Sequence, residues 1–246
     1  MISPDFIPGY IAFIKSLLLH NSWFEYPIVL IDLGLKEEQK KECREYYKNI
    51  VFKKPKREKY KRVNWKKTQK HLRNTYYTLD MFSYLEYERI VFIDLDTLVL
   101  KNIYYLFNHK MKNFFGGVKA YNRSQDCLVE YLNAGVMVVD LNRLPENFYQ
   151  NIVSYSCQGF QFPEQDALDT YLKGKIDFLP KCYNVEKRML LSYNHPFDIY
   201  DVGILHYVGI KPWQEPKKPS HFNDKKDFYE LDLLWREYYT KELNND

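Results

Sequence analysis

Cysteine is scarce in this chain and its few copies are scattered. Cys43, Cys127, Cys157 and Cys182 are the four in 246 residues, and no two form a CxxC pair. This argues against a zinc ribbon and a dense disulfide framework, and points to a reducing compartment. Long apolar runs are missing too. The longest, Ile7 to Leu19, is broken by Pro8 and Lys15 and falls short of the roughly 20 residues that a membrane span needs. The opening residues show no charged region leading into an uninterrupted apolar stretch, so no secretory leader is expected and the expected location is cytoplasmic. Internal repeats are absent, as are low-complexity tracts beyond one lysine-rich loop. What remains is core material: 46% hydrophobic and 28% charged residues exclude global disorder. The length suits one domain over 1–246.

The net charge of +4 is unevenly spread. Eleven Lys/Arg and a single acid, Glu58, fall between Lys53 and Arg73. That leaves 25 of the 36 basic residues against 31 of the 32 acids elsewhere. The loop 53–73 therefore reads either as a solvated, mobile segment or as an anion-attracting flap, over a phosphate-bearing substrate or against an anionic membrane. Nucleic acid is not an expected partner, because no recognition helix or RNA-binding motif accompanies this one basic segment.

Apolar spacing predicts alternating helices and strands in the first half. Gly9 to His20 and Lys36 to Lys48 read as helices, as does Tyr76 to Tyr87 with Leu79, Phe82 and Leu85 inward. Ile28 to Ile31, Ile50 to Phe52 and Ile90 to Ile93 are short apolar runs of buried-strand type. Such alternation implies an α/β fold, Rossmann-like, with a mainly parallel sheet and helices on both faces. Further on, Phe114 to Val118 and Gly135 to Val139 read as strands and Pro163 to Leu172 as a helix. Gly203 to Trp213 reads as a loop. A C-terminal amphipathic helix is expected at about 225–243, with Phe228, Leu231, Leu234 and Tyr238 packing back onto the domain.

Asp94-Leu95-Asp96 follows the most apolar of these strands. Residues i and i+2 of an extended chain project to one side, so both carboxylates can meet one hard cation such as Mg²⁺ or Mn²⁺. Downstream, His206-Tyr-Val-Gly209-Ile-Lys211-Pro-Trp213 places an imidazole, a glycine and a cation within six positions. Imidazole is a fair third ligand for Mn²⁺, and lysine can neutralise a diphosphate.

These residues lie in a longer pattern. Tyr87-Glu-Arg-Ile-Val-Phe-Ile-Asp94-Leu-Asp96-Thr, Leu132-Asn133-Ala-Gly135-Val, Glu164-Gln165-Asp166-Ala-Leu, Leu179-Pro-Lys-Cys-Tyr-Asn184 and the His206 segment occur in this order. The pattern resembles glycosyltransferase family 8, which includes glycogenin and bacterial galactosyl- and glucosyltransferases of lipopolysaccharide. The resemblance implies a GT-A fold and a retaining, divalent-metal-dependent hexosyltransferase using a UDP-sugar donor. The implied acceptor is a glycan, glycolipid or protein. It implies Asp94, Asp96 and His206 as ligands of Mn²⁺ (or Mg²⁺), with Gly209, Lys211 and Asp94 near the donor diphosphate. Asn133 falls where the family contacts the donor sugar, and Glu164, Gln165 and Asp166 match the segment at the reaction centre. Two further readings stay open: a glycogenin-like self-glucosylating protein, and a non-catalytic nucleotide-sugar or glycan binder. A homodimer is compatible with either.

Several positions depart from the family pattern. Thr78 stands where a lysine or arginine is usual, with Arg73 or a lysine of the basic loop as the candidate substitute. Glu164 replaces a frequent Asp, and the loop from Gly209 to Lys211 is one residue shorter than in glycogenin. The self-glycosylated tyrosine of glycogenin aligns near Leu191. The family's first strand is expected to be absent, with Ser3, Asp5 and Phe6 where its base-contacting loop would continue.

Overall fold

A computed structural model describes residues 1–192, 197–214 and 228–242. Nine strands and six α-helices are assigned among them. The first helix, α1 (Ile7–His20), starts with Pro8 in its first turn and is buried along most of its length. Asn21 ends it: its amide donates to the Leu17 carbonyl, and its Oδ1 accepts from Ile103 N–H. Strand β1 (Ile28–Ile31) pairs in parallel with β2 (Ile50–Lys53), with α2 (Glu37–Tyr46) as the crossover.

The sheet that positions the site runs β3-β6-β5-β7, with β3 Arg89–Ile93, β5 Phe115–Asn122, β6 Cys127–Asp140 and β7 Asp177–Phe178. Its side chains alternate between two cores. Val91, Ile93, Val136 and Val138 join α1 residues such as Tyr10, Ile11 and Ile14. Ile90, Phe92, Met137 and Val139 join α4 (Phe148–Ser156), α5 (Pro163–Tyr171) and the segment carrying Leu79 and Phe82. A sheet apolar on both faces must be covered on both, so the expected two-sided helical cover is present.

The strand pairing differs from expectation. β3 and β5 both pair antiparallel with β6, and only β7 joins β5 in parallel. A third sheet, β4-β9-β8, is built from β4 (Thr97–Val99), β8 (Val185–Glu186) and β9 (Ile204–His206) and is likewise mixed. The arrangement is therefore mixed rather than mainly parallel. The physical reason is the β5–β6 hairpin, whose turn at Arg123–Asp126 reverses the chain without a helical crossover. β9 also lies inside the span expected to be a loop, because Ile204 and Leu205 are fully buried and need ladder partners.

Two other elements differ. Lys70–Ser83 forms successive 3₁₀ turns instead of an α-helix. Leu79 and Phe82 are buried as expected, but Leu85 is 69% exposed. No strand is assigned before α1 among the described residues; one isolated parallel bridge joins Ile2 to Asp32, in which Ile2 N–H donates to the Ile31 carbonyl and Leu33 N–H to the Ile2 carbonyl. The basic segment is anchored rather than loose. Tyr60 and Val63 are buried, and the Asp80 carboxylate accepts from Tyr60 OH, Tyr149 OH and Lys56 N–H.

Short α3 (Tyr104–Asn108) follows β4. The C-terminal helix α6 (Tyr229–Thr240) packs back as expected, Trp235 stacking with Tyr239 and lying 5.2 Å from Trp213 between ring centroids. Phe228, Lys241 and Glu242 flank the helix without joining it, and the remaining expected positions, 225–227 and 243, lie outside the described residues. No helix among the described residues is long and apolar enough to cross a membrane. All four cysteines are free thiols.

Candidate functional site

Asp94 to Asp96 is the chain's step from one sheet to another. β3 ends at Ile93, Asp94 N–H donates to the Gly135 carbonyl of β6, and Thr97 begins β4 opposite His206 of β9. Thr97 Oγ1 donates back to the Asp94 carbonyl, and Tyr207 N–H donates to that of Asp96, which fixes the crossing at both ends. The tripeptide and a histidine more than a hundred positions later are thereby held on neighbouring backbones.

One ligand atom from each of Asp94, Asp96 and His206 lies within 4.8 Å of the other two. His206 Nε2 is 3.4 Å from Asp96 Oδ1 and 3.8 Å from Asp94 Oδ2. An octahedral ion with bonds of about 2.1 Å holds adjacent ligand atoms about 3 Å apart and opposite ones about 4 Å apart. Two carboxylates and an imidazole at this spacing fit a divalent cation such as Mg²⁺ or Mn²⁺. Lys211 adds charge at the same place: its ammonium is paired with Asp96 Oδ2 and donates to the Tyr207 carbonyl at 3.0 Å. Gly209, in the left-handed region at φ 85°, turns the chain so that Lys211 reaches back.

The electrostatics follow from this crowding. Burial, and then the neighbouring Asp96 carboxylate, push Asp94 up to about 6. Asp96 suffers the same burial, but the Lys211 ammonium and His206 hold it below the usual carboxylate range. Burial alone would lower His206; the carboxylate of Asp96, with that of Asp94, outweighs it and raises the ring. A negative pair partly balanced by one lysine is a setting that a divalent cation completes.

The Glu164 segment comes from the start of α5. Asp166 is committed locally, accepting from Tyr131 OH and, at 2.9 Å, from Phe162 N–H at the helix start. Gln165 Oε1 accepts from Ala134 N–H at 3.0 Å, which ties α5 to β6. Glu164 differs: its Oε2 is buried and has no hydrogen-bond partner among the described residues. Burial pushes its carboxyl up to about 7.

Asn133 is 9% exposed and engaged on both ends of its amide, through Glu186, Asn184 and Gly135 N–H. Asn184 in turn contacts His206 Nδ1 at 2.9 Å. The structure thus places Asn133 behind the histidine, within a buried polar chain. The sequence pattern carried Asn184 without a role and left Glu186 out. One signal was available: 184 and 186 flank a buried valine at the spacing that shares one strand face.

Of the candidates to replace a cation at Thr78, Arg73 is engaged within the basic segment. The Arg73 guanidinium stacks on Trp65 and donates to its carbonyl at 3.1 Å. Thr78 itself is buried against Met1. Ser3 to Phe6 does approach the site loop, since Trp213 Nε1 donates to the Asp5 carbonyl and Phe6 meets Trp213 edge-on.

Comparison with known proteins accords with this layout. The family model described as Glycosyl transferase family 8 matches residues 1–217. Galactinol synthase 5 of Arabidopsis thaliana is 26% identical over 193 residues, covering 67% of this chain. The chain spans 57% of the length of that relative. Among solved structures, the galactosyltransferase LgtC, in complex with donor and acceptor sugar analogs, superposes with a TM-score of 0.66 at 18% identity. The match covers 98% of this chain and 95% of that one. The glycosyltransferase GlyE of Streptococcus pneumoniae gives 0.72 at 17% identity, over 97% of this chain and 58% of its own. The fold is the GT-A type of α/β arrangement.

Proposed function

The chain belongs to glycosyl transferase family 8, and from that premise we propose that it is a retaining, divalent-metal-dependent hexosyltransferase with a UDP-sugar donor. The observation that supports this reading best is the convergence of Asp94, Asp96 and His206 within one ion's reach, with Lys211 on the same carboxylate.

Departure of UDP leaves negative charge on the diphosphate and positive charge at the anomeric carbon. Asp94, Asp96 and His206 would hold a divalent ion, which would supply Lewis acidity to that leaving group. Lys211 adds a second positive charge without a proton transfer, exchanging Asp96 for a phosphate oxygen, while Gly209 lets the backbone approach. On the sugar side, Glu164 is the group with spare hydrogen-bonding capacity, and its carboxyl can bind a hydroxyl and steady an oxocarbenium-like centre. Gln165 and Asp166 hold α5 against β6 and orient Glu164. The acceptor in this reading is a glycan, glycolipid or protein, and a front-face displacement retains configuration. The basic segment 53–73 is proposed to attract the anionic donor or an anionic membrane surface.

The names of the relatives make UDP-galactose the first donor to test, beside UDP-glucose. Purified protein should release free sugar from one of these slowly in Mn²⁺ and stop on chelation. UDP binding without metal-dependent hydrolysis of any tested donor would leave a sugar-nucleotide binder. Hexose increments in the intact mass, without added acceptor, would instead support self-glucosylation.

A further inference from the structure

The buried polar chain behind the metal cluster carries more than packing. Its starting point is Gly135 N–H, a backbone group that can only donate. It donates to Asn133 Oδ1 at 2.9 Å, which fixes which end of that amide is oxygen. The other end, Asn133 Nδ2, donates to Glu186 Oε1 at 2.8 Å, so a carboxylate confirms the same orientation from the opposite side. Asn133 Oδ1 then receives a second donor, Asn184 Nδ2, at 2.9 Å. Asn184 therefore turns its own Oδ1 toward His206 Nδ1, 2.9 Å away. An amide oxygen only accepts, so the proton must sit on Nδ1.

We infer that Asn184, locked in turn by Asn133 and Glu186, sets the tautomer of His206 and, in the neutral ring, leaves Nε2 as a bare lone pair facing Asp94 and Asp96. The inference rests on the metal-site reading above for its purpose, though not for its geometry. Asn133 and Asn184 are positioning residues here: neither is a ligand, and they act through His206. A bare nitrogen beside two carboxylates makes no favourable contact by itself. It becomes useful when a cation occupies the space they enclose, which is why outer partners of ligating histidines tune metal affinity. Water cannot easily take over the locking bonds, since Asn184, His206, Glu186 and Asn133 are 2%, 5%, 7% and 9% exposed. Reversing Asn133 would set a donor against a donor at Gly135 N–H, and reversing Asn184 would set an acceptor against an acceptor at Asn133 Oδ1, both in a buried place.

The experiment needs neither donor nor turnover. Histidine labelled with ¹⁵N in metal-free protein, at alkaline pH where the ring is neutral, reports its tautomer through two-bond ¹H–¹⁵N correlations. The expected pattern for His206 is a protonated Nδ1 and a bare Nε2; the reverse pattern overturns the inference at once. Asn184→Ala and Asn133→Ala should both give mixed tautomers and weaken Mn²⁺ binding, followed by the paramagnetic signal of free Mn²⁺, by about 10–100-fold. Glu186→Gln, which keeps an acceptor for Asn133, should retain the wild-type pattern. Asn133→Ala is the sharpest arm because Asn133 makes no hydrogen bond to the ring. If that variant is folded and keeps both tautomer and Mn²⁺ affinity, the relay is wrong. If a variant fails to fold, the wild-type spectrum decides alone. Wild-type protein with the expected tautomer and no Mn²⁺ binding would uphold the relay while removing the metal reading, so the two failures are distinguishable.

Discussion

Adding one methyl group at Gly135 should disable the cluster without replacing a ligand. A Cβ built there would meet His206 Cε1 at 2.4 Å and Nδ1 at 2.5 Å, with Asn133 Oδ1 at 3.1 Å. Ordinary carbon contacts begin near 3.5 Å, so the ring must withdraw by about 1 Å. It has no free direction in which to do so. The His206 backbone is paired with Thr97, and Nδ1 is held by Asn184. Gly135 is not among the positive-φ residues, so Ala imposes no backbone strain and the effect is purely steric. Overpacking of this kind costs about 1–3 kcal/mol. In a chain of this size each kcal/mol lowers the melting temperature by about 2–4 °C. A ring displaced by about 1 Å should weaken Mn²⁺ binding by one to two orders of magnitude, and turnover about 100-fold. Calorimetric Mn²⁺ titration and a thermal melt on Gly135→Ala measure both. Gly34→Ala is the control: at φ 124° it is strained, but nothing lies within 4 Å of its Cβ, so it should lose stability and keep Mn²⁺ affinity. A Gly135→Ala protein that melts and binds Mn²⁺ like the wild type would show that His206 does not lie against β6, and the argument for the cluster would fail with it.

Glu164 gives a pH prediction. Its folded value of about 7 lies above its ordinary 4.5, so the folded chain holds a proton that the unfolded chain releases. The stability this contributes is full below 4.5 and lost as pH rises through about 7. The gap corresponds to about 3 kcal/mol, which the charge-favouring start of α5 does not cancel. In metal-free protein, wild type should therefore lose stability relative to Glu164→Gln between pH 5 and 8; parallel denaturation midpoints across that range would refute the buried acid. Asp80 gives a stability prediction remote from the chemistry. Asp80→Asn presents an NH₂ group where three donors converge, and should cost about 2–4 kcal/mol in urea unfolding while leaving Mn²⁺ affinity intact. A loss under 1 kcal/mol would mean that those donors find other partners.

The polar chain also adds to what Asn133 means. Family resemblance implies a donor-sugar contact for this position, and here three of the four hydrogen bonds its amide can make are formed within the polar chain behind the metal cluster. The close approach that makes Gly135 irreplaceable follows from the same arrangement: the Asn133-Ala-Gly135 stretch both orients the histidine and makes room for it. A tripeptide that reads as a turn entering a strand thus supports a ring fixed from two sides.

The residues alone determined the elements whose signal is local. Ile28 to Ile31 and Ile90 to Ile93 are strands because uninterrupted apolar runs bounded by polar residues have few other places to go. Pro163 followed by acidic residues starts a helix for reasons contained within one turn. The i, i+2 carboxylates of Asp94 and Asp96 share a side because extended backbone alternates. Long-range pairing decided the rest. Whether β5 and β6 run parallel or antiparallel depends on a turn, and the sequence reading placed only pieces of either strand. Ile204 to His206 became a strand because β4 and β8 offered hydrogen-bond partners on either side. Leu85 points outward because successive 3₁₀ turns change which residues share a face. The closing of Asp94, Asp96, His206 and Lys211 around one point, and the chain of amides behind the histidine, join residues from 22 to 115 positions apart. No local rule encodes such contacts, because they form only when separate backbones pack and each buried donor must find an acceptor.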